Sequence, residues 1–515
     1  MGAVRQARVI MLQGTASHAG KTVLAAALCR IYARRGLAVA PFKGQNMALN
    51  SAVTAAGDEM GRAQVYQAAA AGVEPEVDMN PVLLKPTAGG TSQVVVMGRP
   101  VAAMSVAAYQ SHQAEVWPLV TAALGRLRAR HDLVVIEGAG SSAEINLRHA
   151  DIVNMRVARA ARSPVLLVGD IDRGGVFAAL LGHVELFTRS ERRLVRGFVI
   201  NKFRGDPAQL GDGLSELEAR TGVPTLGVVP YLEGWRGDEE DSVALDEPRP
   251  SRPDGAAVRI AVVRLPYLSN TTDFEALAGE PDVAVDYVRE PRGLRGAAAI
   301  VLPGTKSTVA DLAWLRRQGL DRAIVAAVAG GVPVIGICGG FQMLGRRIAD
   351  PGAVETQAPE TAGLGLLEVE TTFTRRKRTV RVSGEASGAA LVPAGTALRG
   401  YEIHMGRTRR ARGERAFARL RAAPDGGPAH PDGAASADGR VCGTYLHGLF
   451  DEPDFRAAFL NRLRVAAGLP ERPARAIVPD IERLADHVEA QLDMDRLDAI
   501  IGLATGRRAG QRGSR

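Results

Sequence analysis

The chain has 515 residues, a hydrophobic fraction of 46%, a charged fraction of 23% and a formal net charge of +8 at neutral pH. This balance is ordinary for a globular protein of two or three domains, and it excludes a disordered or fibrous chain. The basic residues are mostly dispersed arginines, and we find no RNA- or DNA-binding module in the sequence. We therefore attribute the positive charge to a solvated surface and a polyanionic small substrate, and predict no nucleic-acid partner.

The cysteines and the apolar runs indicate the cellular compartment in which the protein works. Cys29, Cys338 and Cys442 are too few and too scattered for a disulfide framework or a zinc site. No apolar run in the sequence reaches membrane-spanning length, and the first residues lead directly into a predicted strand rather than forming a signal peptide. We expect a protein of the reducing cytoplasm with no membrane partner.

The first informative stretch is Gly14–Thr22, which fits the phosphate-loop pattern G-x-x-x-x-G-K-[ST] between an apolar strand and an amphipathic helix. In such a loop, backbone N–H groups face phosphate oxygens, the lysine reaches the outer phosphates and the hydroxyl can ligate Mg²⁺. We predict bound ATP, with Mg²⁺ at Thr22. The predicted ATP contacts in the loop are Gly14, Thr15, Gly20, Lys21 and Thr22.

Strands and helices alternate after this loop, which predicts a doubly wound parallel sheet. Leu37–Phe42 is predicted to be a strand, and polar residues follow it at the edge where such sheets bind ligands. They are candidate substrate or phosphate contacts, and the alternative is an ordinary polar loop. These candidates are Lys43, Gln45 and Asn46. Segments 58–64 and 78–86 are predicted to be polar loops.

Leu133–Ile136 is predicted to be a buried strand that ends at Glu137. A carboxylate beside a phosphate loop is where a Mg²⁺ ligand would lie, and small residues after it leave room for a ligand. We therefore predict that Glu137 binds Mg²⁺, the alternative being a helix cap or an ion pair with an arginine.

Two further strands end in polar residues. Val165–Val168 leads to two acids and an arginine, which we predict to form a phosphate, metal or substrate edge; these are Asp170, Asp172 and Arg173. Phe198–Ile200 ends at Asn201, which is well placed to contact a purine base. The following segment, Glu233–Gly255, is acidic and then proline-rich without periodicity. We predict a first domain at residues 1–232 and a linker at 233–257.

Longer strings in this half carry a family resemblance. They are Gln45–Ser51, Asp78–Pro86, Glu137–Gly140 with Ala143–Leu147, Asp170–Phe177 and Asn201–Asp206. In this order they resemble the glutamine-hydrolysing cobyric acid synthase family, whose N-terminal domain is similar to dethiobiotin synthetase, a phosphate-loop ligase. Two positions depart from the family pattern: His18, where Asp is expected, and Gly44, where Pro or Ala is usual.

Alternation of strands and helices resumes at Arg259 and predicts a second doubly wound domain at residues 258–470. Within it, a strand, a tight turn and a helix surround Cys338, with Gly336 and Gly340 two residues to either side. This is the spacing of a nucleophile elbow, with cysteine in place of serine. We predict that Cys338 is a nucleophile, favoured as the thiolate by the start of the helix.

The predicted oxyanion donors are the N–H of Gly339 and a group in the Gly304 loop. The nucleophile also needs a base, for which His404 and His447 both lie in apolar, strand-like contexts, and spacing does not choose between them. Cys29 and Cys442 are predicted to lie in the core.

The second half is similar to class I glutamine amidotransferase domains, and Tyr445–Phe450 matches their cobyric acid synthase version. This resemblance implies that His447 is the base. Many class I domains carry Glu two residues after that histidine, whereas this chain has Leu449. The resemblance therefore implies a Cys–His dyad, with a third member absent or supplied elsewhere.

The remaining segments carry less information. Pro424–Gly439 is predicted to be a mobile surface loop, Phe455–Ala467 a helix and Ile481–Leu503 a single amphipathic helix. We place a C-terminal helical segment at 471–503 and a disordered tail at 504–515. Oligomeric state is left open, a homo-oligomer being compatible with the sequence.

The resemblance implies two doubly wound parallel-sheet domains, a P-loop NTPase-like domain followed by a class I glutamine amidotransferase-like domain. It implies ATP- and glutamine-dependent amidation of the b, d, e and g carboxylates of adenosylcobyrinic acid a,c-diamide, giving adenosylcobyric acid in cobalamin biosynthesis. ATP, Mg²⁺, L-glutamine and a corrinoid are then the expected ligands, and ammonia needs a shielded route between the domains.

Alternatives remain open at this point. Within the class they are a cobyrinic acid a,c-diamide synthase and a cell-wall lipid amidotransferase. From another class, the chain could be a regulatory P-loop ATPase with a non-catalytic binding domain.

Overall fold

The computed structural model describes residues 6–235, 257–388, 391–423, 426–477 and 480–503. Within these residues the chain forms two α/β units, each built on a six-stranded sheet. The predicted fold class is confirmed. Most of the predicted linker and all of the predicted tail (504–515) lie outside the described residues.

The first sheet is fully parallel. Its strands are near-continuous apolar runs because helices cover both faces. From edge to edge they are Thr225–Pro230, Val195–Phe203, Val165–Asp170, Arg8–Gly14, Leu133–Ser141 and Val39–Phe42. The α-helices of this unit are Lys21–Arg34, Arg62–Ala71, Val106–Arg130, Met155–Ala161, Val176–Leu186, Arg189–Arg192 and Gly213–Thr221.

Several strands extend beyond their predicted ends, so Glu137, Asp170 and Asn201 lie within strands rather than after them. Parallel pairing continues past the apolar run because backbone groups, rather than side chains, make the hydrogen bonds between the strands. In register, Leu12 lies beside Glu137, and Asp170 lies beside Asn201. The polar residues therefore still meet at the carboxyl edge of the sheet.

A small four-stranded sheet adjoins the first unit. The prediction that 58–64 and 78–86 are loops was wrong, because pairing between distant segments orders these polar stretches into strands and a helix start. The small-sheet strands are Gln45–Met47, Val82–Thr87, Thr91–Val96 and Arg99–Ser105, and a separate pair is Ser51–Val53 with Glu59–Gly61.

The second unit has a six-stranded sheet that is parallel except at one edge. Its strands are Val283–Val288, Val258–Val263, Ala299–Leu302, Val334–Ile337, Val441–Thr444 and Ala434–Ala435. The α-helices are Glu275–Ala278, Thr308–Arg317, Leu320–Ala329, Gly339–Leu344 and Pro453–Ala466.

A second, mainly antiparallel sheet of seven strands packs in the same unit and was not anticipated from the sequence. Two long strands, Val369–Ala386 and Ala397–Arg410, form its centre. The others are Glu360–Ala362, Arg347–Ala349, Leu446–His447, Ala418–Ala422 and His430–Asp432.

The prediction of a mobile loop at Pro424–Gly439 was wrong for the middle of that segment. It contributes the strands His430–Asp432 and Ala434–Ala435, and the buried Asp432 carboxylate accepts a hydrogen bond from Thr444. Glycine-rich composition favoured a loop, but tertiary pairing overrides local preference here.

The C-terminal segment forms two helices, Ile481–Glu489 and Met494–Ile501, where a single helix was predicted. The Asp493 side chain caps the second helix by accepting from Arg496 N–H, which ends the continuity between them. Both helices pack on the first unit: Leu484 and Leu497 are buried in the apolar cluster that surrounds helix Lys21–Arg34. The segment therefore follows the second unit in the sequence but packs against the first unit in the fold. Across the described ranges, no helix combines the length and apolarity needed to cross a bilayer.

Two candidate active sites

Cys338 lies at the sharp turn between strand Val334–Ile337 and helix Gly339–Leu344. Its φ of 51° is in the left-handed region, an uncommon conformation for a non-glycine residue that marks a constrained turn. The Cys338 N–H donates to the carbonyl of Thr444, and Sγ lies 3.6 Å from the carbonyl oxygen of Ile403. The geometry agrees with the predicted nucleophile elbow.

Glycines surround this turn because neighbouring backbone approaches closely. A Cβ on Gly340 would lie 2.0 Å from the Leu302 carbonyl oxygen, and one on Gly304 would lie 2.7 Å from Cε1 of His447. Gly339 in turn lies against the Thr305 backbone N–H. The Gly304 loop and Gly339 therefore converge on the same small volume beside Cys338, where the oxyanion donors were predicted.

Asp273 supplies the third member that the sequence left open. His447 Nδ1 lies 2.7 Å from Asp273 Oδ2, and the Gly448 N–H donates to the other carboxylate oxygen at 2.9 Å. Both side chains are buried, and His447 also makes a hydrogen bond with Cys338. Burial lowers the pKa of His447, but Asp273 and Cys338 outweigh it and raise the value to about 10. The arrangement is a Cys–His–Asp triad.

Sequence reasoning missed Asp273 because it lies 174 residues before the histidine that it orients. A signal was nevertheless present. Asp273 follows the first strand of the second unit, Val258–Val263, at the carboxyl edge where parallel strands bring their polar residues together.

The contacts of His404 differ from those of His447. Its ring stacks on Tyr445 with centroids 3.7 Å apart, and Nδ1 lies 2.8 Å from the Gly406 carbonyl oxygen. Burial lowers the pKa of His404 to about 4, so its ring is neutral at physiological pH. Geometry therefore favours His447 over His404 as the base.

The phosphate loop has the expected form. Gly20 adopts φ 89°, and a Cβ there would lie 2.0 Å from the Asn201 side-chain nitrogen. Lys21 is buried at the start of its helix, with Nζ donating to the carbonyls of Ala16 and Gly140 at 2.9 and 3.1 Å. Its ammonium group is thus held over the loop, where nucleotide phosphates would lie.

Glu137 is fully buried next to this loop. It accepts hydrogen bonds from the Thr22 hydroxyl at 2.7 Å, Lys43 Nζ at 2.9 Å and Gln67 Nε2 at 2.6 Å. Lys43 therefore occupies the ion-pair role for which an arginine was the predicted alternative. A carboxylate and a hydroxyl in contact also fit a Mg²⁺ ion held mostly by phosphates and water.

Asn201 and the acidic edge lie beside the loop. Asn201 Nδ2 donates to the Ala19 carbonyl at 2.9 Å, so this side chain supports the loop backbone. Asp170 pairs with Lys202 at 3.1 Å, and the half-exposed Asp172 pairs with Arg204 at 2.9 Å. Arg173 lies 3.9 Å from Asp170.

A cavity of about 750 Å³ opens beside the phosphate loop. Its polar wall includes Lys21, Lys43, Gln45 and Asn46, and its apolar wall includes Met47 and Leu84. The structure therefore brings these predicted polar residues together, whereas Asp170, Asp172 and Arg173 do not line this cavity. His18, one of the departures from the family pattern, lies on the cavity wall.

The small sheet separates this cavity from the second unit. Leu84 and Pro86 face the cavity, and the intervening Lys85 points away from it, as alternation along a strand requires. Lys85 donates to the buried Glu59 at 2.8 Å, and Lys377 from the second unit donates to the same carboxylate.

This ion cluster couples the two units electrostatically. Burial lowers the pKa of Lys377 to about 8. Burial also opposes ionisation of Glu59, but the two ammonium groups hold its pKa far below the ordinary value. The cluster is therefore charged at neutral pH and joins the units through a shared carboxylate.

Known proteins match both halves of the chain. Residues 10–242 match the family described as the CobQ/CobB/MinD/ParA nucleotide binding domain, and residues 259–455 match the CobB/CobQ-like glutamine amidotransferase domain. A solved structure described as a glutamine amidotransferase is 21% identical, covers 41% of this chain and 99% of its own, and has a TM-score of 0.30, too low to carry an argument.

Full-length relatives agree with the resemblance noted in the sequence. A cobyric acid synthase of Desulforudis audaxviator is 53% identical over 96% of this chain and 100% of its own length. A cobyric acid synthase of Sorangium cellulosum is 52% identical over 96% of this chain and 99% of its own length. The chain therefore belongs to the cobyric acid synthase family of ATP-dependent, glutamine-hydrolysing ligases.

Proposed function

We propose that this chain forms the b, d, e and g amides of adenosylcobyrinic acid a,c-diamide, using ammonia that it releases from glutamine. Identity of about half over nearly the whole length of curated cobyric acid synthases carries this proposal. The geometry supports it, because a cysteine triad and a phosphate-loop cavity occur in one chain and meet across a shared boundary.

In the second unit, the Cys338 thiolate attacks the side-chain amide carbon of glutamine. The resulting oxyanion would accept hydrogen bonds from Gly339 and the Gly304 loop. Protonated His447, oriented by Asp273, donates a proton to the leaving nitrogen, so ammonia departs and a thioester remains. Water, deprotonated by the same imidazole, cleaves the thioester to give glutamate, and the sulfur leaves as the thiolate beside the again protonated His447.

In the first unit, a corrinoid carboxylate oxygen attacks the γ-phosphorus of ATP, and ADP leaves. The acyl phosphate has the good leaving group that a carboxylate lacks, so ammonia attacks its carbonyl carbon, and phosphate departs with both bonding electrons and takes up the proton that the nitrogen loses. Lys21 would stabilise charge on the transferred phosphoryl group, and the loop residues Gly14, Thr15 and Gly20 would cradle the phosphates. Lys43, Gln45 and Asn46 are proposed to contact the substrates in the cavity.

Thr22 and Glu137 are the residues that would hold Mg²⁺, which neutralises phosphate charge when bound. Among the described residues, no group of three or more His, Cys, Asp and Glu side chains is arranged to hold a metal by itself. A nucleotide-dependent ion fits this arrangement, because the phosphates complete its coordination. We retain Asn201 as a proposed nucleotide contact and the Asp170, Asp172 and Arg173 edge as a proposed phosphate or substrate contact.

The boundary supports a short route for ammonia. Ile403 contacts Cys338 Sγ, and two residues further along the strand Met405 Sδ lies 3.8 Å from Gln93 of the small sheet. Two residues of strand span about 7 Å. Ammonia would therefore have a short distance to cross between the sulfur and the sheet that lines the cavity.

The decisive test supplies the purified chain with the a,c-diamide, ATP, Mg²⁺ and glutamine, and follows product mass. Four successive conversions of carboxylate to amide are expected, with ADP and glutamate released. No change of the a,c-diamide, together with amidation of cobyrinic acid or of a cell-wall lipid, would identify one of the related amidoligases instead.

A regulatory ATPase with a non-catalytic second half makes a different prediction. Such a protein would hydrolyse ATP without consuming glutamine, and the Cys338→Ala variant would behave like the wild type. Measuring glutamate release for both proteins distinguishes this alternative directly.

A further inference from the structure

The segment Gln45–Ser51 contacts both candidate sites. Its first five residues line the cavity beside the phosphate loop. Its last two, Asn50 and Ser51, cross the boundary and make hydrogen bonds to Asn270 and Thr271 of the second unit. One short stretch of backbone therefore connects the cavity wall to the glutaminase half.

The contact across the boundary is buried and reciprocal. Asn50 Nδ2 donates to Thr271 Oγ1 at 3.1 Å, and the Thr271 N–H donates to Asn50 Oδ1 at 3.0 Å. Beside them the Ser51 N–H donates to Asn270 Oδ1 at 2.9 Å. All four residues are buried, so a shift of one side of this contact leaves polar groups unsatisfied unless the other side follows.

The second-unit side of the contact is the turn that carries Asp273. Asn270 adopts φ 55° and begins the helical turn Thr271–Phe274, and its carbonyl accepts from the Asp273 N–H at 3.0 Å. Asp273 orients His447, and the preceding Ser269 N–H donates to the Gly304 carbonyl at 2.9 Å. The turn thus contacts both the base and the predicted oxyanion loop.

We propose that Asn50 is a positioning residue that couples occupancy of the cavity to the alignment of the Asp273–His447 pair. A ligand shifts such an equilibrium only when it binds one arrangement better than the other, and contacts with residues 45–49 provide that difference. Filling the cavity then accelerates glutamine hydrolysis. This inference rests on the proposed function, and it explains how ammonia release would be confined to complexes that hold an acceptor.

The test measures glutamate release from glutamine with and without the a,c-diamide and a non-hydrolysable ATP analogue, so that no amidation occurs. We expect the wild type to be stimulated about 5-fold or more, the lower range of ordinary allosteric coupling. In Asn50→Ala the stimulation ratio should fall towards one, while amidation with added ammonium stays at the wild-type rate.

Two further variants make the outcome specific. Thr271→Val removes only the hydroxyl side of the contact, and should lower the ratio even if Asn50→Ala folds poorly. Arg381→Met is the matched control, because Arg381 Nε donates to the Val53 carbonyl at 2.7 Å across the same boundary but away from the turn. Its stimulation ratio should remain that of the wild type.

The inference is overturned by an unstimulated wild type, by undiminished stimulation in both Asn50→Ala and Thr271→Val, or by an equal loss in Arg381→Met. Failure of the proposed function gives a distinct result, namely no amide from the a,c-diamide even with ATP and ammonium. The two failures are therefore distinguishable in the same set of assays.

Discussion

Asp273 fixes the direction in which the His447 ring faces. One carboxylate oxygen binds the ring and the other accepts from the Gly448 N–H, so the carboxylate cannot turn without breaking a buried hydrogen bond. A buried imidazolium is stable only when such a partner compensates its charge. The raised pKa of His447, about 10, follows from this pairing and from Cys338.

Asp273→Asn should therefore move the alkaline limb of the glutaminase pH profile to lower pH. The wild-type imidazolium persists until pH rises through about 10, whereas an amide at position 273 no longer offsets the burial that lowers the pKa. We also expect kcat to fall by roughly 10²-fold or more. Stopped-flow glutamate release across pH 6–11 checks both effects, and an unmoved alkaline limb would contradict the role of Asp273.

The same pairing gives a stability prediction. Because the folded pKa of His447 lies above its ordinary 6.5, its stabilising contribution is fully present below pH 6.5 and is lost as pH rises towards about 10. Thermal unfolding of the wild type and Asp273→Asn should therefore differ most below pH 6.5 and converge in alkaline buffer. A difference that grows with rising pH would show that the sign is wrong.

Cys338→Ala should abolish amidation with glutamine and retain amidation with added ammonium, because only nitrogen release needs the sulfur. Lys21→Ala should lose both activities, since phosphate transfer precedes attack by either source of ammonia. Cys29→Ala is the matched control, as Cys29 is buried in the core of the first unit and should affect neither activity directly. Loss of the ammonium reaction in Cys338→Ala would contradict the proposal that Cys338 is needed only for the release of nitrogen from glutamine.

Local sequence was informative about residues whose role depends on neighbours in the chain. Cys338 was predicted from flanking glycines, and Lys21 from its loop. His447 needed the family resemblance, because His404 has an equally apolar context and only the fold shows its stacking on Tyr445. Asp273 could not be assigned, because its partner is distant in sequence and no spacing rule connects them.

Among the structural elements, the turn at Cys338 depends most on close backbone packing. Gly340 lies at the first turn of the following helix, where a Cβ would lie 2.0 Å from the Leu302 carbonyl oxygen. Backbone atoms of a neighbouring strand cannot move aside to make room for a Cβ, as the end of a flexible side chain can. The glycine therefore allows the helix to begin directly over the sheet.

Gly340→Ala should reduce stability by about 1–3 kcal/mol, the usual cost of overpacking, and should displace Cys338 enough to impair glutaminase activity. Gly330→Ala is a matched control in the same unit: its φ is −77° and a Cβ would meet nothing nearer than 3.4 Å. Denaturant unfolding and glutamate release would be compared for the two. Equal behaviour of both variants would contradict the packing argument.

Elements with strong periodicity were predictable, and elements built by long-range pairing were not. Most of the apolar parallel strands were predicted in chain order, including the strands that contain Glu137 and precede Cys338, whereas Val283–Val288 was not predicted. The small sheet and the antiparallel sheet were missed because their strands pair with segments distant in the chain and carry polar residues such as Lys85, whose charge is compensated by Glu59 from a separate strand pair. Such compensation is invisible in a local window of sequence.

In the whole molecule, the helices at 481–501 join the first unit by both apolar and ionic contacts. Leu484 is buried against the cluster around helix Lys21–Arg34, whereas Arg34 pairs with exposed or half-exposed acids of the same segment. Exposed ion pairs contribute about 0–1 kcal/mol each, and burial of a leucine contributes several times more. Apolar contact should therefore dominate this attachment.

Leu484→Ala should destabilise the first unit by about 2–5 kcal/mol, whereas Arg34→Ala should cost less, about 0–1 kcal/mol for each exposed ion pair that it removes. Hydrogen exchange of the backbone amides in helix Lys21–Arg34 measures the local effect without assuming that both units unfold together. Greater deprotection in Arg34→Ala than in Leu484→Ala would reverse the assigned order of the two contributions.

The attachment of 481–501 to the first unit has a consequence during synthesis. The helix behind the phosphate loop is made early, yet the leucines that cover it leave the ribosome only after the whole glutaminase unit has been translated, roughly 20–90 s later at ordinary elongation rates. Until then, an apolar face of the nascent nucleotide-binding unit has no cover from this segment. A fragment cut after residue 235 would keep that face exposed permanently, and so should precipitate or recruit chaperones unless 481–501 is supplied alongside it.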